Sequence, residues 1–140
     1  MGLGIAALVM WSLAAVAGAY LLIVWLANGG LRRQGTKVTR FPLTVVLGHP
    51  ALAVVSLGAW VKFLQTARVA YAWSSFGVLA VVALLGFTLL TRWLTGRGGK
   101  HARGAEQHFP LIGVLAHGTV ALLTFVLVLL TAIRAARGQP

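Results

Sequence analysis

Four stretches of this 140-residue chain, at about 3–27, 41–64, 71–94 and 109–133, are nearly free of charge. Their only charged residues are Lys62 and Arg92, each close to an end. A hydrocarbon core about 30 Å thick is crossed by roughly 20 apolar residues in a helix, so each stretch is long enough to span a bilayer. Inside lipid every backbone N–H and C=O must be bonded within the protein, which leaves helices or a closed barrel. Barrel strands alternate apolar and polar residues, and these runs do not. The expected fold is therefore all-α: an integral membrane four-helix bundle, forming one domain over residues 1–140 with short polar connections. A hydrophobic content of 59% and a mean hydropathy of +0.91 agree with that class. The first run is expected to be retained, because no Lys or Arg precedes Arg32 to form the positive start of a signal peptide.

What the chain lacks narrows its chemistry. It has no cysteine, which removes disulfides, iron–sulfur clusters, thiolate metal sites and c-type haem attachment. It has one acidic side chain, Glu106, so neither a catalytic carboxylate pair nor a carboxylate proton relay can be assembled.

The net charge of +11 reads as membrane orientation rather than nucleic-acid binding. Arg32, Arg33, Lys37 and Arg40 lie in the first connection, and Arg92, Arg97, Lys100 and Arg103 at or after the end of the third span. Lys62 and Arg68 mark the second connection, and Arg134 and Arg137 the tail. The heavier side is expected to be cytoplasmic, with both termini outside, in a bacterial inner membrane. Trp25 and Trp93 close their spans at the basic side, while Trp60 and Trp73 flank the opposite connection, as interfacial tryptophans do. The Gly-rich basic loops also suit anionic lipid.

The chain matches itself at an offset of 68 residues. "FPLTVVLGHPALA" from Phe41 is answered by "FPLIGVLAHGTVA" from Phe109. Gly18/Gly86, Trp25/Trp93, Phe41/Phe109, Pro42/Pro110 and His49/His117 are among the identities. This predicts a duplicated two-helix hairpin, with repeat 1 at about 1–68 and repeat 2 at about 69–136. Each copy holds two spans, so both enter the membrane in the same direction and relate by an axis along its normal. Short connections favour an antiparallel ring in which helices 2 and 4 face each other across the core. Gly18 and Gly86 are expected at close helix contacts. Each Phe-Pro pair should begin a helix, with Pro in the first turn. His49 and His117 then lie eight residues, or about 12 Å, inside the basic end and at one depth.

A histidine at that depth signals function by default. Three uses compete: a helix–helix hydrogen bond, a metal site, or the two axial ligands of one haem. Zinc wants more protein ligands than two imidazoles, and no Cys, Asp or Glu lies in a span to add one. Haem iron takes only axial donors from the protein, and neutral imidazole serves. Val45, His49, Ala53 and Ser56 share one helical face, as do Gly113, His117, Ala121 and Thr124. Such small neighbours would leave a slot for a flat macrocycle. Pro50 and Gly118, next to the histidines, could aim the imidazoles or make room. Arg40 and His108, at the helix starts, are candidate partners for haem propionates or lipid headgroups. His101, in a Gly-rich loop, is expected to be solvated.

The architecture and the pair His49 and His117 resemble membrane b-type cytochromes, in which histidines on facing helices of a four-helix core bind haem. Cytochrome b561-like proteins and the haem-bearing anchor subunits of respiratory dehydrogenases are similar in this respect. The resemblance implies haem b as cofactor, a quinone as a candidate electron carrier, and electron transfer with a protein partner subunit or a second copy. Members with two haems use four intramembrane histidines; two deep histidines here imply one haem. The chain carries no flavin or nicotinamide motif, so it reads as an electron-transfer or anchor subunit rather than a complete enzyme. The competing class is a cofactor-free accessory subunit of a larger membrane complex. A transporter with a histidine proton carrier lacks a second titratable group along its path.

Overall fold

The computed structural model describes residues 2–32, 34, 41–97 and 104–138. Its regular structure is helical: α1 (Gly2–Ala27), α2 (Leu43–Thr66), α3 (Val69–Gly96), a 3-10 turn (Ala105–His108) and α4 (Leu111–Ala136). All four α-helices are long and apolar enough to cross a membrane. No more than 17% of the most apolar part of any of them is buried within the chain. The outward faces carry Val16, 71% exposed, and Ile112, 81% exposed, alongside Val54, Leu84 and Phe87. Water would not tolerate so continuous an apolar surface, which has the build of a multi-pass membrane protein.

Local chemistry sets the helix ends. Pro42 and Pro110 stand just outside α2 and α4, with φ/ψ of −64°/131° and −68°/130°. Their extended ψ makes them caps, so the helices begin at Leu43 and Leu111, two residues beyond the Phe of each motif. Having no N–H, each proline still accepts the first helical bond through its carbonyl: Val46 N–H to Pro42 at 3.0 Å and Val114 N–H to Pro110 at 3.1 Å. After α1 the chain turns at Gly29, whose φ is +79°. Gly29 N–H returns to the Leu26 carbonyl and Gly30 N–H to the Trp25 carbonyl, a Schellman closure. Gly30 carries no Cβ that would run into the Trp25 ring. Between α2 and α3 the reversal occupies two residues. Ala67 takes a left-handed φ of +54° and bonds the Phe63 carbonyl at 2.8 Å.

α2 packs along α3 and α4 along α1; α3 meets α4 more lightly, and α1 meets α2 least. The neighbours therefore follow the ring order 1-2-3-4. The two heaviest interfaces join one half of the chain to the other, and not the helices within a half. Side chains related by the 68-residue offset stand in corresponding places. Phe41 and Phe109 meet each other with ring centres 5.8 Å apart. Trp25, Trp93, Val46 and Ala105 complete one apolar cluster at that end. A second cluster fills the other end, around Trp11, Trp60, Phe63, Leu79, Val82 and Val128. His49 and His117 belong to neither, and lie in the layer between them.

Polar contacts also tie the helices at either end. Trp60 Nε1–H donates to the Gly4 carbonyl at 3.2 Å, joining α2 to α1. Ser56 and Ser75, both fully buried, exchange bonds across α2 and α3: each hydroxyl donates to the other's carbonyl, at 2.7 and 2.9 Å. Trp93 Nε1–H donates to the Glu106 carbonyl at 3.1 Å. Glu106 is itself 1% exposed, and its carboxylate lies in the space a Cβ at Gly104 would take. The position matching Glu106 in the first half, Val38, is outside the described residues. Trp25 Nε1 is buried with no hydrogen-bond partner among the described residues.

Candidate functional site

Each histidine is the seventh residue of its helix, because each helix starts two residues after an aligned Phe. Both side chains are half-buried and turn inward, and their rings meet with centres 6.1 Å apart and planes at 74°. The two imidazoles expected to face each other across the bundle do meet.

The hydrogen bonds define the chemistry of the pair. His49 Nδ1–H donates to the Val82 carbonyl of α3 at 3.0 Å. His117 Nδ1–H donates to the Ala14 carbonyl of α1, also at 3.0 Å. Ala14 and Val82 are themselves 68 residues apart, so the two bonds are copies of each other. A carbonyl only accepts, so the proton of each neutral ring is fixed on Nδ1 and the lone pair is left on Nε2. Neither Nε2 has a hydrogen-bond partner among the described residues. Two such rings cannot bond each other through Nε2, because both atoms are acceptors. The bundle thus holds two imidazoles with unspent lone pairs, their ring centres 6.1 Å apart.

Glycine makes the approach possible. A Cβ at Gly18 would lie 2.9 Å from His117 Cε1 and 3.3 Å from its Nδ1. A Cβ at Gly86 would lie 3.1 Å from His49 Cε1 and 3.5 Å from its Nδ1. These glycines were expected at close helix contacts, and the object they admit is the edge of a histidine ring.

The remaining predicted residues are placed as follows. Ala53 and Ala121, one turn beyond each histidine, are half-buried, and Ala53 packs against the second apolar cluster. Gly113, one turn before His117, faces Leu21 and Tyr20 of α1 as well as Pro110. Ser56 is spent on Ser75, and the Thr124 hydroxyl donates to the Val120 carbonyl of its own helix. Gly118 has open space where a Cβ would stand, its own chain neighbours aside. His108 is exposed and donates from Nδ1 to the Ala105 carbonyl at 3.3 Å. Arg40 and His101 lie outside the described residues. No third His, Cys, Asp or Glu joins the pair to form a metal cluster among the described residues.

What sequence reasoning missed was the pair of acceptors. Ala14 and Val82 differ in side chain, and only their carbonyls are used, so no identity in the repeat could announce them. The one available signal was Gly18/Gly86, four residues further along.

No protein family matches the sequence, and no curated protein or solved structure is significantly similar to it.

Proposed function

We propose that this chain is a bacterial inner-membrane b-type cytochrome, built by duplication of a helical hairpin, that holds one haem b between His49 and His117. Its work is to pass single electrons between the quinone pool and a partner subunit. Its basic connections face the cytoplasm.

The observation that carries this reading is the matched pair of imidazoles with Nδ1–H anchored and Nε2 unspent. An imidazole that ligates a metal through one nitrogen generally donates its other N–H to a fixed acceptor, which sets the tautomer and raises its basicity. His49 and His117 would be the residues that hold the haem iron, one ring from each half of the chain. A donor set of two neutral nitrogens, with no third His, Cys, Asp or Glu beside them among the described residues, would suit haem iron and suits zinc poorly. Haem, when bound, supplies a one-electron couple. The chain's part is to hold and orient two ligands, with an apolar cluster on either side of them. Orientation with the basic loops inside rests on eight of the twelve Lys and Arg lying on that side.

A second reading has its own observation. Each histidine bonds the backbone of a neighbouring helix, and so joins the two halves of the chain without any cofactor. On that reading the protein is an accessory subunit of a larger membrane complex.

Absorption spectra of detergent-purified protein from haem-replete cells separate the two. A b-type spectrum in the wild type, lost in both His49→Ala and His117→Ala, supports the cytochrome. A colourless, folded wild-type protein supports the accessory subunit.

A further inference from the structure

We propose that Gly18 and Gly86 are positioning residues, each dedicated to the histidine of the opposite half: Gly18 to His117 and Gly86 to His49. This deepens the haem reading by naming what aims the two ligands, and rests on it for its functional meaning.

On α1 the carbonyl of Ala14 sits one turn before Gly18. His117 reaches that carbonyl by laying its Nδ1–Cε1 edge over the place where residue 18 would carry a Cβ. α3 repeats the arrangement with Val82, Gly86 and His49. Glycine and carbonyl thus form a notch one helical turn long. The notch fixes three things together: which nitrogen keeps the proton, how far the ring stands from its neighbour helix, and the plane in which it lies. The two notches hold the planes at 74° to each other. A methyl group at position 18 would fall 2.9 Å from a ring carbon, closer than real side chains approach, so His117 must swing away and lose its acceptor. At position 86 the distance is 3.1 Å, which asks for a smaller displacement of His49. Packing glycines would act otherwise. They would draw two helix backbones together, and their loss would disturb both histidines through a general change in spacing.

The pattern of the response is therefore the test. Full-length, haem-free protein carrying ¹⁵N-histidine is reconstituted in lipid nanodiscs, and the two ring signals are assigned by single histidine substitutions. In the wild type both rings should be protonated at Nδ1 and bare at Nε2; the opposite tautomer at either ring overturns the proposal without any glycine variant. Gly18→Ala should displace the His117 Nδ1–H resonance and leave His49 in place. Gly86→Ala should do the reverse by a smaller shift. Gly118→Ala, next to His117 but beside open space, should move neither. Equal shifts at both rings in either notch variant, or none, overturn the assignment. Loading with haem is read separately. Each notch variant should retain haem about tenfold or more less tightly, as for other groups that orient a metal ligand. If the wild type takes up no haem and the crossed shifts persist, the cytochrome reading fails while the notches stand. If haem binds and the shifts are not crossed, the notches fail alone.

Discussion

The Ser56–Ser75 pair offers a measured test of how the halves are held together. Both residues are fully buried between α2 and α3, and two hydroxyl-to-carbonyl bonds of 2.7 and 2.9 Å run in opposite directions, with the hydroxyl oxygens 3.3 Å apart. Each receiving carbonyl lies within a helix and keeps its intrahelical donor, so deleting a hydroxyl strands no acceptor. The void left is one oxygen atom, too small for a large cavity cost. Inter-helix side-chain bonds in membrane bundles average about 0.6 kcal/mol and reach about 1.7. Ser56→Ala or Ser75→Ala alone should therefore cost about 0.6 to 1 kcal/mol, and the double variant about 1 to 1.5. The double value should fall slightly short of the sum, because either deletion already loosens the packing that the two residues share. Thr124 is the position matching Ser56, and its hydroxyl is spent within its own helix at 2.8 Å. Thr124→Val should then cost less than about 0.5 kcal/mol. The assay is reversible unfolding in mixed micelles, with the denaturing detergent as the variable. A double-variant loss above about 3 kcal/mol, or a Thr124 effect equal to that of Ser56, would refute the reasoning.

The other predictions concern the turns and the tryptophans. Ala67→Gly should raise stability by about 0.5 to 1 kcal/mol, because Ala67 is exposed and holds a φ of +54° that glycine adopts without penalty; unchanged or lower stability in the same assay would contradict that backbone. Gly30→Ala should destabilise, since its methyl would meet the Trp25 ring, and the tryptophan emission should shift as that ring moves. Trp93→Phe should cost about 1 kcal/mol more than Trp25→Phe, because the first loses a bonded N–H and the second an N–H without a partner among the described residues. Equal losses would mean that Trp25 is bonded in the folded protein.

Much of this architecture was readable because apolar length is a coarse and forceful signal. Each of the four runs contains the greater part of one helix, and the errors fall at the ends. The Phe-Pro motifs were expected inside the first turn of α2 and α4, but the extended ψ of Pro42 and Pro110 moves each start to the following leucine. At the other ends, α2 continues to Thr66, α3 to Gly96 and α4 to Ala136, since polar residues near a helix end keep their backbone bonds whatever their side chains. The meeting of His49 and His117 was readable because the chain says the same thing twice. Their acceptors were not, because any residue type supplies a carbonyl. Ser56 was read as a small neighbour on the histidine face, whereas its hydroxyl belongs to Ser75. The register of one helix against the next is not written in the periodicity of either, so that pairing had no sequence signature. Arg40, the one charged residue proposed for the site, lies outside the described residues.

Titration of the haem-free protein with haemin in detergent bears most directly on the claim that two imidazoles share one iron. The expected end point is one haem per chain, with a six-coordinate low-spin spectrum that turns five-coordinate in either single histidine variant. An end point of two, a high-spin spectrum in the wild type, or no saturation at all would contradict it.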